Sequence, residues 1–251
     1  MPLIFMDKKC DWFENWFDTT WYHTLYSDRD YTEGSRFIEN LIGFLKPTEN
    51  ATILDLACGK GRHAKHINRL GYRVWGVDLS SSSIASAIES ENENLRFSVH
   101  DMRMVYKPHY FNYIFNLFTS FGYFNNREDN LRVMESVCEG LKPNGIFVLD
   151  FLNANKVKNN LVAQEKITKE GIEFSIKREV KNNIIQKNID FEADGKKLHF
   201  EERVTAFELE DLIELFAPFK LKIEKVFGNY NLEEFNAETS NRLILVARKG
   251  G

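Results

Sequence analysis

Asp55, Asp78 and Asp101 recur at intervals of 23 residues, each at the end of or inside a short apolar run, and Cys58-Gly59-Lys60-Gly61 lies just after the first of them. A glycine turn between a strand and a helix lets a ligand approach the backbone closely and presents helix N-terminal amides to it. An isolated Gly-x-Gly is as often a tight turn with no ligand, and a single aspartate is more often a surface or capping residue. Three acids at successive strand ends beside such a turn are hard to read that way. Asp78, closing a second strand, is placed to accept both hydroxyls of a ribose. Asp101, after a third, can accept from an adenine amino group while Met102 packs on the ring. Asp55 can meet a ligand ammonium directly or through water. Arg62 and Arg29 are each suited to a ligand carboxylate.

These acids converge only if the chain supplies the strands. Ala51 to Ala57, Tyr72 to Val77, Leu95 to Val99, Tyr110 to Leu117 and Ile146 to Phe151 are short buried-strand patterns. Helical patterns separate them, to about Leu70 with Gly71 as the stop, from Leu79 to Ser90 behind capping serines, and from a cap at Asn125 or Asn126 to Leu141. Lys142-Pro143-Asn144-Gly145 reads as a turn. Strands alternating with helices predict a doubly wound parallel sheet, with its ligands at the carboxyl ends of the strands. Upstream, residues 11 to 45 read as helical, with a second helix over Thr32 to Lys46 that ends before Pro47. From about Glu165 to Val204 the period becomes two, and Asp194-Gly195 marks a hairpin, so a small antiparallel sheet is inserted after the fifth strand. A helix over about Glu208 to Phe216 and strands near 221–227 and 243–247 complete the core. The expected division is therefore a helical aromatic cap over 1–46, a ligand-binding core over 47–155, the inserted sheet over 156–205 and the core's completion over 206–251.

Composition limits the partners. A net charge of -4 without a basic stripe disfavours nucleic acid. Three scattered cysteines, with no Cys-x-x-Cys pair, argue against a disulfide framework or a structural zinc site and fit a reducing cytosol. No apolar run approaches the roughly 18 residues of a membrane span, and the acidic residues soon after Met1 do not suit a secretory leader. A cytoplasmic protein with no resident metal is expected.

Two ligands fit the glycine turn. Gly59-x-Gly61-x-x-Ala64 followed by Asp78 matches the dinucleotide fingerprint. Against it, Asp55 sets a negative charge where a pyrophosphate must sit, and Asp101 has no use there. The second reading comes from a resemblance. Leu54-Asp55-Leu56-Ala57-Cys58-Gly59-Lys60-Gly61 resembles the first motif of class I S-adenosylmethionine-dependent methyltransferases, Val77-Asp78-Leu79-Ser80 their second and His100-Asp101-Met102 their third. Leu141-Lys142-Pro143-Asn144-Gly145 and the strand after it resemble the segment leading into their fifth strand, with Asn144 where a second glycine is usual. Asn116 to Tyr123 is similar to the segment after the fourth strand in small-molecule members such as glycine N-methyltransferase.

The resemblance covers residues 50 to 152 well and the rest loosely. It implies a seven-stranded, mostly parallel sheet with the last strand antiparallel. It also implies S-adenosylmethionine as methyl donor, S-adenosylhomocysteine as product, and in-line transfer to a nitrogen or oxygen, less readily a carbon, of a small molecule. Its binding set maps onto Asp55, Ala57, Cys58, Gly59, Gly61, Arg62, Asp78, Leu79, Asp101, Met102, Leu117 and Phe118. A nicotinamide oxidoreductase and a non-catalytic donor-binding module remain as alternatives.

The acceptor side is read from the aromatics crowded into the first 45 residues. Helical spacing puts Tyr22 and Tyr26 on one face. With His23 and Tyr123 they are the candidates to wall an acceptor pocket or move a proton, although most such aromatics end up in a core. The inserted sheet leaves the domain at its ligand-binding edge. It is expected either to wall that pocket or to serve as the interface of a homo-oligomer.

Overall fold

The computed structural model describes residues 12–27, 31–124 and 126–250. Arg29 and Asn125, named above, lie outside the described residues. In chain order the first elements are α1 (Trp12–Phe17), α2 (Thr20–Leu25), α3 (Tyr31–Leu45), β1 (Thr52–Leu56), α4 (Arg62–Arg69), β2 (Arg73–Asp78), α5 (Ser81–Ile88) and β3 (Leu95–Val99). Then come β4 (Phe111–Asn116), α6 (Arg127–Gly140), β5 (Leu141–Leu152) and α7 (Ala154–Asn159). The insert is β6 (Gln164–Lys169), β7 (Ile172–Lys181), β8 (Ile184–Ala193) and β9 (Lys196–Thr205), and α8 (Leu209–Phe216), β10 (Leu221–Phe227) and β11 (Arg242–Lys249) end the chain.

One sheet runs β10-β11-β5-β4-β1-β2-β3, and β6-β7-β8-β9 form a second, antiparallel one. In the first sheet β3, β2, β1, β4 and β5 are parallel, while β11 runs antiparallel to both its neighbours. β1 is buried along its whole length, as a central strand covered on both faces must be. Phe37, Ile38 and Leu41 of α3 pack one face with Ala64 and Ile67 of α4 and Ile84 and Ala87 of α5. Val133, Met134 and Val137 of α6, with Leu212, Leu215 and Phe216 of α8, pack the other.

Local chemistry sets the boundaries. Ser80 accepts the Ser83 amide at the start of α5, and Asn126 accepts the Asp129 amide at the start of α6. Glu208 and Asp211 form a reciprocal capping box on α8. Three readings of the sequence need correction. The helical stretch before α3 is broken after Phe17, because Thr19 is a better cap than helix interior and accepts the Tyr22 amide. The Lys142–Gly145 turn does not interrupt β5. Asn144 takes φ +62° there, and the pairing with β4 shifts register between Phe111 and Tyr113. The short helix α7 carries no long apolar period, so no pattern in the sequence marks it.

The first two helices are six residues each and could not persist alone in water. They survive by packing on the insert. Trp16 and Leu25 share a core with Phe174, Ile176, Ile189 and Phe191. Among the described residues, no helix is long and apolar enough to cross a membrane.

Candidate functional site

β1 delivers the chain into the glycine turn, where Ala57 (φ +63°), Gly59 (φ +55°) and Gly61 (φ +75°) all stand in the left-handed region. The two glycines do different work. A Cβ at Gly59 would meet nothing within 4 Å, so its open side is free for a ligand, whereas a Cβ at Gly61 would collide with the Phe97 ring at 2.5 Å. Gly61 is thus required for close packing of α4 on β3 and does not border the cavity described below.

Gly61 is also the N-cap of α4 and has no side chain to cap with. Asp55 replaces it: its carboxylate accepts the Ala64 amide at 3.0 Å from inside the fold, where it is 1% exposed. Burial pushes this carboxyl up to about 7, against the pull of the Ala64 bond. Asp55 therefore sits behind the turn, and does not border the cavity.

Asp78, the last residue of β2, accepts the Gly59 amide at 2.7 Å on one oxygen and the Ser80 amide at 2.9 Å on the other. It ties the turn to the start of α5 while retaining lone pairs for a ligand. Burial raises its carboxyl above the usual range, and the two amides oppose the shift. Asp101 is held side-on by Arg103, with Nε 3.0 Å from each oxygen, and also accepts the Arg103 amide at 2.9 Å. Burial pushes its carboxyl up, but the bonds and charge of Arg103 outweigh that and hold it below the usual range. Asn116, at the end of β4, donates to the Leu56 carbonyl at 3.0 Å and so ties the ends of β4 and β1 together.

At the carboxyl ends of these strands lies a cavity of about 340 Å³, within the range that accepts a small molecule. Ala57, Cys58, Gly59, Arg62, Asp78 and Leu79 border it, and so do Asp101, Met102, Leu117 and Phe118. From the cap, Tyr22, His23 and Tyr26 border it, facing Tyr123. Among the described residues of the expected donor-binding and acceptor-side sets, Asp55 and Gly61 stand back from it. Leu56, Ser80, Ser83, His100, Ser120 and Phe124 also border it and were not singled out. Ser80 and His100 flank two of the acids in the motifs themselves and could have been found there. Phe124 had no such marker.

The cap is fastened over this cavity. Asp18 accepts from both the Ser80 and Ser82 hydroxyls at the start of α5, and the Ser80 bond is the main reason its carboxyl is held low. Trp12 stands edge-on to Tyr123 at 5.5 Å. On the side of the insert, Glu202 accepts from Trp16 at 2.7 Å and from Tyr26 at 2.7 Å, and Lys187 donates to the Tyr26 hydroxyl at 2.5 Å.

A mostly parallel sheet with a glycine turn, acids at its strand ends and a cavity above them defines a Rossmann-like nucleoside-binding protein. Within that class, residues 47–203 match the methyltransferase domain family, and the chain belongs to it. A Bacillus subtilis protein assigned to the methyltransferases by name is 29% identical over 54% of this chain and 54% of its own length. The dTDP-3-amino-3,4,6-trideoxy-alpha-D-glucopyranose N,N-dimethyltransferase of Streptomyces venezuelae is 27% identical over 49% of this chain and 51% of its own. The chain thus spans about half the length of these curated relatives. The fold extends further. A solved S-adenosylmethionine-dependent methyltransferase from Clostridium acetobutylicum superposes with a TM-score of 0.76 at 19% identity, covering 91% of this chain and 96% of that one.

Proposed function

We propose that the protein transfers a methyl group from S-adenosylmethionine to a nitrogen of a small molecule, in the cytoplasm. The observation that carries the donor assignment is the state of the glycine turn. Three amides of the turn and the first helical turn are already bonded within the protein: Gly59 to Asp78, Gly61 to the Cys58 carbonyl and Ala64 to Asp55. Asp78 and Asp101 on the rim of the cavity, with the aromatic rings that border it, suit a ligand that brings a cation and no phosphate.

The residues present fit that donor. Asp78 would take the ribose hydroxyls, and Met102 would pack on the adenine, with Asp101 at its amino group. Gly59 would let the methionyl part pass, and Arg62 would meet its carboxylate. The donor supplies a methyl already activated on sulfur, so the chain's task is to align, to exclude water and to tolerate a cation. Tyr22, Tyr26, Phe118 and Tyr123 offer the ring faces for the last of these.

An acceptor amine that arrives neutral needs no base, whereas a hydroxyl would. His23 is the candidate proton acceptor on that side. The Streptomyces relative's name specifies an amino sugar, which favours nitrogen here. Cys58 and Cys138 are free thiols, consistent with a reducing compartment. The outward face of the insert carries Lys177, Glu179, Asp190, Lys197 and His199. Such a charged face disfavours a subunit interface, and among the described residues none of the insert borders the cavity; it acts on the pocket by holding Trp16 and Tyr26 of the cap.

The test is incubation with isotope-labelled donor and a panel of small primary and secondary amines, amino sugars included, with products read by mass spectrometry. Label in an N-methylated product supports the proposal. Label only in hydroxyl-bearing acceptors, or in none while the dinucleotide supports turnover, refutes it.

A further inference from the structure

At the end of β4, Phe118 and Thr119 stand side by side at φ +56° and +59°. The left-handed region is unfavourable for a bulky residue and more so for a β-branched one. Such conformations persist only where the surroundings fix them, and they cluster at functional sites. Here the fixing groups come from outside the motifs. Asp150 of β5, 0% exposed, accepts the Phe118 amide on its carboxylate at 2.8 Å and the Thr119 amide on its carbonyl at 3.0 Å. Arg242 of β11 donates from Nε to the Asp150 carboxylate at 2.7 Å and from Nη2 to the Thr119 hydroxyl at 2.9 Å. Tyr230 donates to the same carboxylate at 3.3 Å. Burial alone would lower the guanidinium's affinity for its proton, but Asp150 outweighs that, so Arg242 stays charged. Burial, followed by the Asp150 charge, keeps Tyr230 protonated and donating.

This turn carries two walls of the cavity. The guanidinium of Arg62 lies 4.1 Å above the Phe118 ring, and His63 stacks on that ring at 4.8 Å, as does Tyr230 at 5.1 Å. On the other side, the Tyr123 hydroxyl donates to the Thr119 carbonyl. Arg62 at the donor end and Tyr123 at the acceptor end therefore take their places from one strained pair.

We propose that Arg242, with Asp150 and Tyr230, is a positioning residue: the buried ion pair locks the Phe118–Thr119 turn, which sets Arg62 and Tyr123 around the cavity. The part of this concerning ligand affinity rests on the donor reading above.

The experiment compares Arg242→Gln, Thr119→Gly, the double variant and Tyr230→Phe. Each is read by S-adenosylhomocysteine titration and by the His63 ring resonances of the ligand-free protein, which report the Phe118 ring above them. Arg242→Gln should weaken binding about tenfold and move the His63 resonances. Glycine adopts φ above zero without strain, so adding Thr119→Gly should restore part of both. A folded Arg242→Gln protein with wild-type affinity and unmoved His63 resonances overturns the proposal, as does a double variant no better than the single. If Arg242→Gln fails to fold, Tyr230→Phe must show the same changes at smaller amplitude, and unmoved resonances there overturn it. If the wild type does not bind S-adenosylhomocysteine, the donor reading fails, and the His63 resonances still decide the role of the lock.

Discussion

Asp55 and Asp78 share a residue type, a strand-end position and a raised carboxyl, yet only Asp78 borders the cavity. Asp55 holds its proton up to about 7, whereas an unfolded carboxyl releases it near 3.8. Between those values the native state binds the extra proton. The stabilisation from Asp55 is therefore complete at low pH and is lost as pH rises through about 7, over a range on the order of a few kcal/mol. Asp55→Asn, which can still accept the Ala64 amide, should flatten the fall in melting temperature between pH 4 and 7. Parallel profiles for wild type and variant would show that Asp55 is ordinarily ionised. Asp78 has the ligand-facing part. Asp78→Asn should weaken S-adenosylhomocysteine binding by roughly 10- to 150-fold in a folded protein, the cost of a lost charge-assisted bond. An unchanged dissociation constant would remove it from the ribose. The interval of 23 residues made these acids visible in the sequence, because strand-helix units repeat at that length. It could not show that one of them turns inward. The missing clue was a glycine at the cap of α4, which obliges some other residue to satisfy the helix.

The elements differ in how far their own residues explain them. β1 to β5 and their helices follow from period and punctuation, and the insert follows from alternation with its Asp194-Gly195 turn, both residues at positive φ. The cap does not. Its aromatics fit a core or a lid equally well on the helical wheel, and only the tertiary structure shows Trp16 wholly buried against the insert. Trp16→Ala should cost about 3–5 kcal/mol locally. Hydrogen exchange over residues 13–25 should then approach that of an unfolded segment, while β1, β2 and β4 keep their protection. Equal loss of protection in those strands would make the cap an integral part of the main core. The lock at the end of β4 was illegible for a different reason. Arg242 and Asp150 are 92 residues apart, and no local pattern links them. Only β11 inserting between β10 and β5 brings them together.

Taken whole, the molecule is one sheet that presents a cavity at its carboxyl edge and a second sheet that carries the cap across it. Family membership and the TM-score of 0.76 establish the scaffold. They do not choose the ligand, because one fold serves many chemistries. The choice rests on a turn with three amides committed to Asp55, Asp78 and Cys58, beside a cavity bordered by acids and aromatic rings. The most direct test is calorimetric titration of the purified protein with S-adenosylhomocysteine and, separately, with the oxidised nicotinamide dinucleotide. S-adenosylhomocysteine should bind at micromolar or lower dissociation constant and raise the melting temperature by mass action, and the dinucleotide should give no heat of binding. Binding of the dinucleotide with none of S-adenosylhomocysteine would contradict the account.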